Sequence, residues 1–401
     1  MKQERLLIPA MLDVHFPLLK YAFQSRRFRP VLLNNRRGVT ELGLRYVHND
    51  MCYPCILNVG QMLAALGSGR FSLPETKLLM PSVGDLCRGS SYTVLLRKAV
   101  AAAGFSEVKV LTMNLKHIDD RNKLSVTPQM AWRALFAMFY GDLLLILTQQ
   151  IRPYELHAGE TNALRDKWYG ILGADLRAFR RLTVSEMYRN FRRITEDFAA
   201  IPRRSEQRQR IGMVGDLYTK YCSLGNWDMV SYLEQNGCES YTNGLSWYVL
   251  YFIDAHLEKE SAVMRQAYRL AGGIIEKMQR RMLAEIRSAG FFALPSLPEL
   301  KREAAGIVSF QDVVGDGWLI GAECVGYIRH CAARKVLAVQ PFGCMANHIA
   351  GRGIYASVAR QAGGMIVSVD VDASGTPVSA YNRARMLIDS EAVCAAAFCN
   401  L

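Results

Sequence analysis

The stretch HNDMCYPCILNVGQ, residues 48–61, carries Cys52 and Cys55 with two residues between them. A Cys-x-x-Cys pair serves dithiol redox exchange, half of a zinc site, or the ligation of an iron–sulfur cluster. Zinc prefers four ligands and would need a second tight Cys/His pair, which the sequence does not offer. A thioredoxin-like pair belongs to a small βαβ unit, whereas this chain has 401 residues. The pair alone leaves the chemistry open.

Two further cysteines, Cys87 and Cys344, share a setting with Cys52. Cys87 follows the apolar run KLLMPSV and Cys344 follows KVLAVQP, and each of the three cysteines comes just before a predicted helix. Ligands bind at the carboxyl ends of parallel strands, and a helix N-terminus favours the thiolate form. Three thiolates from separate elements would suit a [4Fe–4S] cluster with one open iron. The alternative is that these thiols are small packed side chains, as free cysteines often are.

The elements around these cysteines alternate between short apolar runs and amphipathic segments. LLIP, FRPVLLN, KLLMPSV and VKVLTMN predict strands in the first part, and IGMVGD, KVLAVQP and MIVSVDVD in the last. Residues from about 127 to 200 show helical periodicity only. We therefore predict an α/β fold with two Rossmann-like parallel-sheet domains that face one another across a cleft, with helical insertions. The predicted divisions are 1–125 with Cys52 and Cys87, 126–208 as helical segment and basic linker, and 209–401 with Cys344.

Composition narrows the class of protein. Half of the residues are hydrophobic, the net charge is +13, and the ten cysteines show no small-scaffold spacing. We expect a cytoplasmic protein, because the start is too polar for a signal peptide and no apolar run reaches the length of a bilayer. The basic stretch from Arg177 to Arg210 carries no nucleic-acid motif. It is either a solvated helix face and linker, or a docking surface for an acidic protein or a coenzyme A phosphate.

A family resemblance favours the cluster. The segments IPAMLDVHFPLLKYAF, HNDMCYPCILNVGQMLAALGSGRF, GDLCRGSSYTVLLRKA, IGMVGDLYTKYCSLGNWDMVSYLEQNG and VQPFGCMANHIAGRG resemble the acyl-CoA dehydratase activase-related family. That family is distantly similar to 2-hydroxyacyl-CoA dehydratases, benzoyl-CoA reductases and double-cubane proteins. The resemblance implies an iron–sulfur cluster, of [4Fe–4S] or double-cubane type, with Cys52, Cys87 and Cys344 as ligands. Departures such as CMANH and Asp216, where the family carries CLPNH and Glu, leave the substrate open.

Residues beside the three cysteines have two interpretations each. Arg88 and His348 could act on a substrate, and Cys55, Asp50 and Asn347 could surround the cluster and bond to its sulfurs. In the alternative interpretation, Asp50 and Asn347 cap helices and His348 is a packed polar side chain. Cys55 has no firm counterpart in the family, so we expect it to be dispensable as a ligand.

The resemblance predicts an electron-transfer function. We expect an iron–sulfur protein that accepts low-potential electrons from a separate ATP-hydrolysing iron–sulfur activase and passes them to a small or CoA-linked substrate. A non-catalytic cluster-carrying or scaffold subunit is the alternative, and a cluster-free thiol protein is a third. We expect no nucleic-acid or membrane partner, and a homodimer is a candidate assembly.

Overall fold

The computed structural model describes residues 3–82, 87–114, 122–257, 261–331 and 333–390. Within these residues, two four-stranded sheets form, and every strand pairing in them is parallel. The first sheet contains β1 (Glu4–Ile8), β2 (Phe28–Leu32), β3 (Thr76–Ser82) and β4 (Lys109–Asn114). The second contains β5 (Gln209–Gly215), β6 (Cys238–Tyr241), β7 (Lys335–Pro341) and β8 (Met365–Val371). The predicted mixed α/β class with parallel sheets is confirmed.

Fifteen α-helices lie in the described residues. They are α1 (Phe16–Leu19), α2 (Val39–Tyr46), α3 (Tyr53–Gly67), α4 (Tyr92–Ala102), α5 (Pro128–Ile151), α6 (Glu160–Ala178), α7 (Val184–Ala199), α8 (Leu217–Tyr221), α9 (Met229–Gln235), α10 (Leu245–His256), α11 (Ala262–Ser288), α12 (Leu297–Ala304), α13 (Gly317–His330), α14 (Tyr355–Ala362) and α15 (Pro377–Asp389). The region from 127 to 200 is helical, as its periodicity predicts.

The two sheets share one strand order. The orders are β2-β1-β3-β4 and β6-β5-β7-β8, so in each sheet the first strand along the chain lies between the second and the third. The short strand β6, with the sequence CESY, is the one described strand that the apolar runs do not predict. Because the order reverses between β1 and β3 and between β5 and β7, we expect a ligand site of each sheet at its carboxyl edge between those strands.

Helix α3 packs between the two sheets. Cys55, Ile56 and Val59 contact a core that contains Leu7 and Leu78 of the first sheet. Tyr53 and Leu57, on the other side of the helix, join a core built on β5, β7 and β8. This double burial explains why α3 is apolar on nearly every side. The arrangement of two domains across a cleft remains a prediction, and the start of α3 lies between the sheets.

Two glycines let α2 approach α3 closely. A Cβ atom on Gly60 would lie 1.9 Å from the carbonyl oxygen of Val39, and one on Gly43 would lie 2.1 Å from the carbonyl oxygen of Ile56. Such distances are far below van der Waals contact, so a side chain at either position would force the helices apart. These glycines therefore fix the position of α3 and of Cys52 before it.

Helix α5 corrects the expectation that no segment is long enough to cross a bilayer. Among the described residues, one helical segment, residues 128–154, has the length and hydropathy of a membrane span, but 72% of its most apolar window is buried inside the protein. It is the central helix of a large core that also includes α7, α10, α11 and α13. Buried Asp142 accepts from His15 Nε2 at 2.8 Å and from the backbone N–H groups of Leu245 and Ser246. These features are consistent with a soluble protein.

Candidate functional site

Cys52 lies at the start of α3. It is the residue before the first helical position, and Pro54 follows within the first turn, where a missing N–H group costs nothing. Its thiol is buried, and the hydroxyl of buried Tyr92, at the start of α4, donates a hydrogen bond to it. Cys52 therefore links the beginnings of α3 and α4.

Cys87 precedes a short 3₁₀ helix, Arg88–Ser91, that leads directly into α4. The backbone N–H of Gly89 donates to its sulfur at 3.3 Å. The chain there turns from the direction of β3 into α4, as expected for the carboxyl edge of a parallel sheet.

Cys344 follows β7 in the second sheet. Its backbone N–H donates to the carbonyl of Pro341 at 3.0 Å, in a turn that holds Gly343 at a φ of +70°. Glycine adopts that conformation without the steric cost that other residues incur. Asn347, which is fully buried, donates its side-chain N–H to the Cys344 sulfur at 3.3 Å.

The structure brings these three cysteines into one neighbourhood. Cys344 and Cys87 both lie close enough to the Cys52 thiol that a charge on either sulfur would raise its pKa. Arg88 supplies a geometric link, because its Nη1 donates to the carbonyl of Asp50 at 2.5 Å, and a Cβ atom on Gly343 would lie 3.6 Å from its Nη2. The residue after Cys87 therefore bonds to the chain just before Cys52 and lies beside the turn just before Cys344.

Burial overrides the helix-terminus effect expected for the thiols. The pKa of Cys52 is raised well above its usual value, first by burial and then by the nearby charge of Asp216. Burial also raises the pKa of Cys344 to about 12, and Asp216 again adds to it. The expectation that a helix N-terminus would favour free thiolates here is therefore wrong, because desolvation and a carboxylate outweigh the dipole. A bound metal would restore the thiolate, since coordination deprotonates a thiol.

Two carboxyl groups that were not predicted as site residues from the sequence also belong to the site. Asp216 follows β5 and caps α8 by accepting from the N–H groups of Tyr218 and Thr219. Asp316 precedes α13, and burial followed by the charge of Asp216 raises its pKa to about 8. The place of Asp216 at the carboxyl end of the first strand of its sheet was a usable signal. Asp316 sits in an irregular segment, and its sequence carries no comparable signal.

The remaining predicted residues differ in their relation to the three cysteines. The Nδ1–H of His348 donates to the carbonyl of Cys344, 2.8 Å away, and its Nε2 lies 3.6 Å from Asp370. The side chain of Asp50 is largely exposed and lies 3.2 Å from the His48 ring. Cys55 is fully buried within α3, and burial alone raises its pKa to about 12. Asn347 and His348 thus contact Cys344, whereas the Asp50 carboxylate does not point toward it.

The other described cysteines are packed thiols. Cys222, Cys238, Cys324 and Cys331 are all buried and free. Cys331 donates to the carbonyl of Tyr327 at 3.0 Å, within a helix. Residues 394 and 399, the two remaining cysteines of the sequence, lie outside the described residues.

The three thiols do not form a single-ion site. Across the described ranges, no group of three or more His, Cys, Asp or Glu residues is placed to hold one metal ion. Sulfurs on one tetrahedral ion, with bonds of about 2.3 Å, lie only about 3.8 Å apart. Ligands of a cubane bind different irons and lie roughly 6–7 Å apart. Three neighbouring thiols, each with its own hydrogen-bond donor, are the type of ligand that an iron–sulfur cluster uses.

Comparison with family models, with curated proteins and with solved structures returns no match for this chain. The resemblance to the acyl-CoA dehydratase activase-related family therefore remains a prediction from the motif residues.

Proposed function

We propose that the chain is an iron–sulfur protein that accepts low-potential electrons from a separate ATP-hydrolysing iron–sulfur activase and passes them to a small or CoA-linked substrate. Cys52, Cys87 and Cys344 would hold the cluster. The observation that supports this most strongly is the convergence of three cysteines, 35 and 257 residues apart along the sequence, at one place between the sheets. The cluster, when bound, would supply one-electron chemistry at low potential.

The surrounding residues have the contacts that a cluster site uses. Tyr92 donates to Cys52, Gly89 to Cys87, and Asn347 to Cys344. Hydrogen bonds to ligand sulfurs orient the ligands and tune the reduction potential of a cluster. Arg88 links its own loop to the chain before Cys52 through the carbonyl of Asp50, and its guanidinium lies beside the turn at Gly343.

The surface beside Cys344 supports an encounter with another molecule. Phe342, Met345 and Ile349 flank this cysteine, and their exposed fractions are 62%, 50% and 62%. Exposed apolar side chains in one loop are typical of interaction surfaces. An activase or an apolar part of a substrate would cover them.

The proposed architecture is a pair of Rossmann-like domains whose carboxyl edges together form the site. The identical strand orders support it, as does the placement of a cysteine after the third strand of each sheet. In open parallel sheets this edge is the usual place for a ligand. The segment 126–208 would then act as a helical support for the second domain, whose core it shares.

The proposal is tested by anaerobic purification followed by iron and acid-labile sulfide analysis. We expect about four irons and four sulfides per cluster and a brown protein whose visible absorbance decreases on reduction. Addition of a partner activase with ATP should produce the same decrease, and the activase with a non-hydrolysable ATP analogue should not. Colourless protein without iron would contradict the cluster. A cluster reduced by activase but inactive toward every CoA-linked substrate would favour the carrier role.

A further inference from the structure

A second, separate cleft lies at the amino edge of the second sheet. It has a volume of about 850 Å³ and is formed by the starts of β5 and β7, β6, the chain before β5, and residues 290–292. Because β7 has seven residues, its two ends are roughly 20 Å apart. The cleft and Cys344 lie beyond opposite ends of this strand, so the cleft is not part of the cysteine site.

The cleft is rich in cationic side chains. Six basic residues line it, against two carboxylates, Glu206 and Glu239: Arg203, Arg204, Arg208, Arg210, Arg334 and Lys335. The formal excess is four positive charges. Four of the arginines come from the carboxyl end of the basic stretch, whereas Arg192 and Arg193 lie on the exposed side of α7, outside the cleft.

Three of these basic side chains have a structural role, and the same contacts fix their positions. Arg208 donates to the carbonyl of Glu234 at 3.0 Å, near the end of α9, and Arg210 donates to the carbonyl of Cys331 at 3.4 Å, just past α13. Lys335 donates to Ile388, near the end of α15, at 2.8 Å. Cations at helix C-termini are favourable, so these contacts account for three of the six residues. They also hold the guanidinium groups of Arg208 and Arg210 in place.

The side chains of Arg203 and Arg204 have no such contact at a helix end in the described part of the chain. Arg204 is exposed and makes no ion pair with the carboxylates of the described ranges. Arg203 stacks over the ring of Phe291 at 5.1 Å, which leaves the edge of its guanidinium for other partners. Both precede β5 directly, on the same segment as Arg208 and Arg210. Guanidinium groups bind phosphate through paired N–H donors, and Arg is the residue best suited to that geometry.

We infer that this cleft binds a small molecule that carries two or more phosphate groups. A concave volume of 850 Å³ lies within the range of small-molecule sites, and the ordered arginines would recognise closely spaced anionic oxygens. The ligand would sit at a site distinct from the proposed cluster, so its binding does not depend on iron. Inorganic polyphosphates, nucleotides and coenzyme A share the required chemistry.

The test is calorimetric titration of the full chain with pyrophosphate, ADP and coenzyme A at low salt. We expect saturable binding of pyrophosphate that weakens as salt increases. Tighter binding of ADP or coenzyme A would mean that the nucleotide makes additional contacts, and equal binding would mean that phosphate alone is recognised. Absence of saturable binding of all three probes would overturn the inference, even if nucleic acid or an acidic protein bound instead.

Matched charge variants locate the site. The double variant Arg203→Ala with Arg204→Ala should weaken binding of pyrophosphate by about tenfold or more. The control Arg26→Ala with Arg37→Ala removes the same charge from exposed positions outside the cleft and should change binding by no more than about twofold. Since Arg203 packs on Phe291, the single variant Arg204→Glu provides a second measure at an exposed side chain. Equal weakening in the cleft and control variants would overturn the inference.

Discussion

The half of the molecule built on the first sheet and the half built on the second have the same strand order but position their cysteines differently. In the first half, residues 3–114, Cys52 is held by apolar packing together with Leu7, Leu78 and Met80. In the second half, residues 209–390, Cys344 lies near buried polar groups, among them Asn347, Asp216 and Asp316. The comparison indicates that the first half positions Cys52 mainly by apolar packing, whereas the second half places buried carboxyl and amide groups near Cys344.

Buried polar contacts in the second half continue from the surroundings of Cys344 into the interior of the protein. Lys220, on α8, contacts Glu323 at 3.0 Å and the side-chain oxygen of Asn243 at 3.0 Å, and Asn243 donates to Glu323 at 2.8 Å. All three side chains are buried. Since α8 begins at Asp216, this network anchors the helix whose capping residue lies near Cys52 and Cys344. No comparable buried ion pair lies within the described residues of the first half.

Breaking the buried pair should have the largest effect on stability. Lys220→Met leaves Glu323 buried without its cation and should lower the free energy of unfolding by about 3–5 kcal/mol. Burial already raises the pKa of Glu323, and loss of Lys220 should raise it further. A carboxyl group with a raised folded-state pKa destabilises the fold above that pKa, so the loss should shrink as the pH is lowered.

Urea unfolding at several pH values measures this effect. The double variant Lys220→Met with Glu323→Gln is the control, because the glutamine can still accept from Asn243 and carries no charge. It should recover much of the lost stability at neutral pH. A single variant as stable as the parent protein would show that the ion pair does not support the second half.

A substitution that disturbs the packing of the first half should have the next largest effect on stability. Gly60→Ala places a methyl group 1.9 Å from the carbonyl of Val39, so α2 and α3 must separate. We expect a loss of about 1–3 kcal/mol and a lower iron content, because the start of α3 carries Cys52. Gly67→Ala is the control, since its Cβ atom would meet no atom within 4 Å. Thermal unfolding and iron analysis of both variants would show whether the position of α3 matters to the site.

Asn347→Ala should have a smaller effect, confined to the second half. It removes the side-chain donor to the Cys344 sulfur but leaves the backbone N–H of residue 347, which also bonds to that sulfur. The protein should keep its iron, and the reduction potential of the cluster should become more negative, because fewer hydrogen bonds stabilise the added electron. Voltammetry measures the shift. An unchanged potential would assign Asn347 a packing role only.

The smallest expected effect concerns the exposed basic side of α7. Arg192 lies 3.7 Å from Glu285, and the guanidinium of Arg193 lies 5.6 Å from the Trp168 ring centre. Changing both arginines to Glu should slow activase-dependent reduction at low salt, because exposed charges act mainly on encounter rates. The difference should vanish near 1 M salt, where the Debye length is about 3 Å. If the rate of activase-dependent reduction responds neither to salt nor to the arginine substitutions, the activase docks elsewhere.

The sequence predicted most strands because buried parallel strands read as apolar runs bounded by turns. It did not predict β6, whose sequence CESY is polar although all four residues are buried. The polar members find partners inside the fold, as Glu239 does with the Tyr154 hydroxyl at 2.7 Å. The apolar length of α5 was underestimated, although the region was predicted to be helical, because Asp142 interrupts the apolar pattern and its partner His15 is distant in the sequence.

The sequence predicted the three sulfur residues of the site and their neighbours Arg88, Asn347 and His348. Cys52, Cys87 and Cys344 could be selected because each one precedes a helix and because the motif resembles a family. The hydroxyl of Tyr92 and the carboxyl group of Asp316 reach Cys52 and Cys344 through folding of distant segments, and no local pattern marks them. The raised pKa values of Cys52 and Cys344 depend on burial, which a helix-start rule does not include.

The iron contents of Cys344→Ala and Cys55→Ala, purified anaerobically side by side, test the central claim most directly. Both thiols have a raised pKa and both changes remove one sulfur, but only Cys344 receives a hydrogen bond from Asn347 in the proposed site. We expect Cys344→Ala to lose most of its iron and Cys55→Ala to keep the iron content of the parent protein. Equal loss in the two variants, or full retention in Cys344→Ala, would contradict the assignment of Cys52, Cys87 and Cys344 as the ligands.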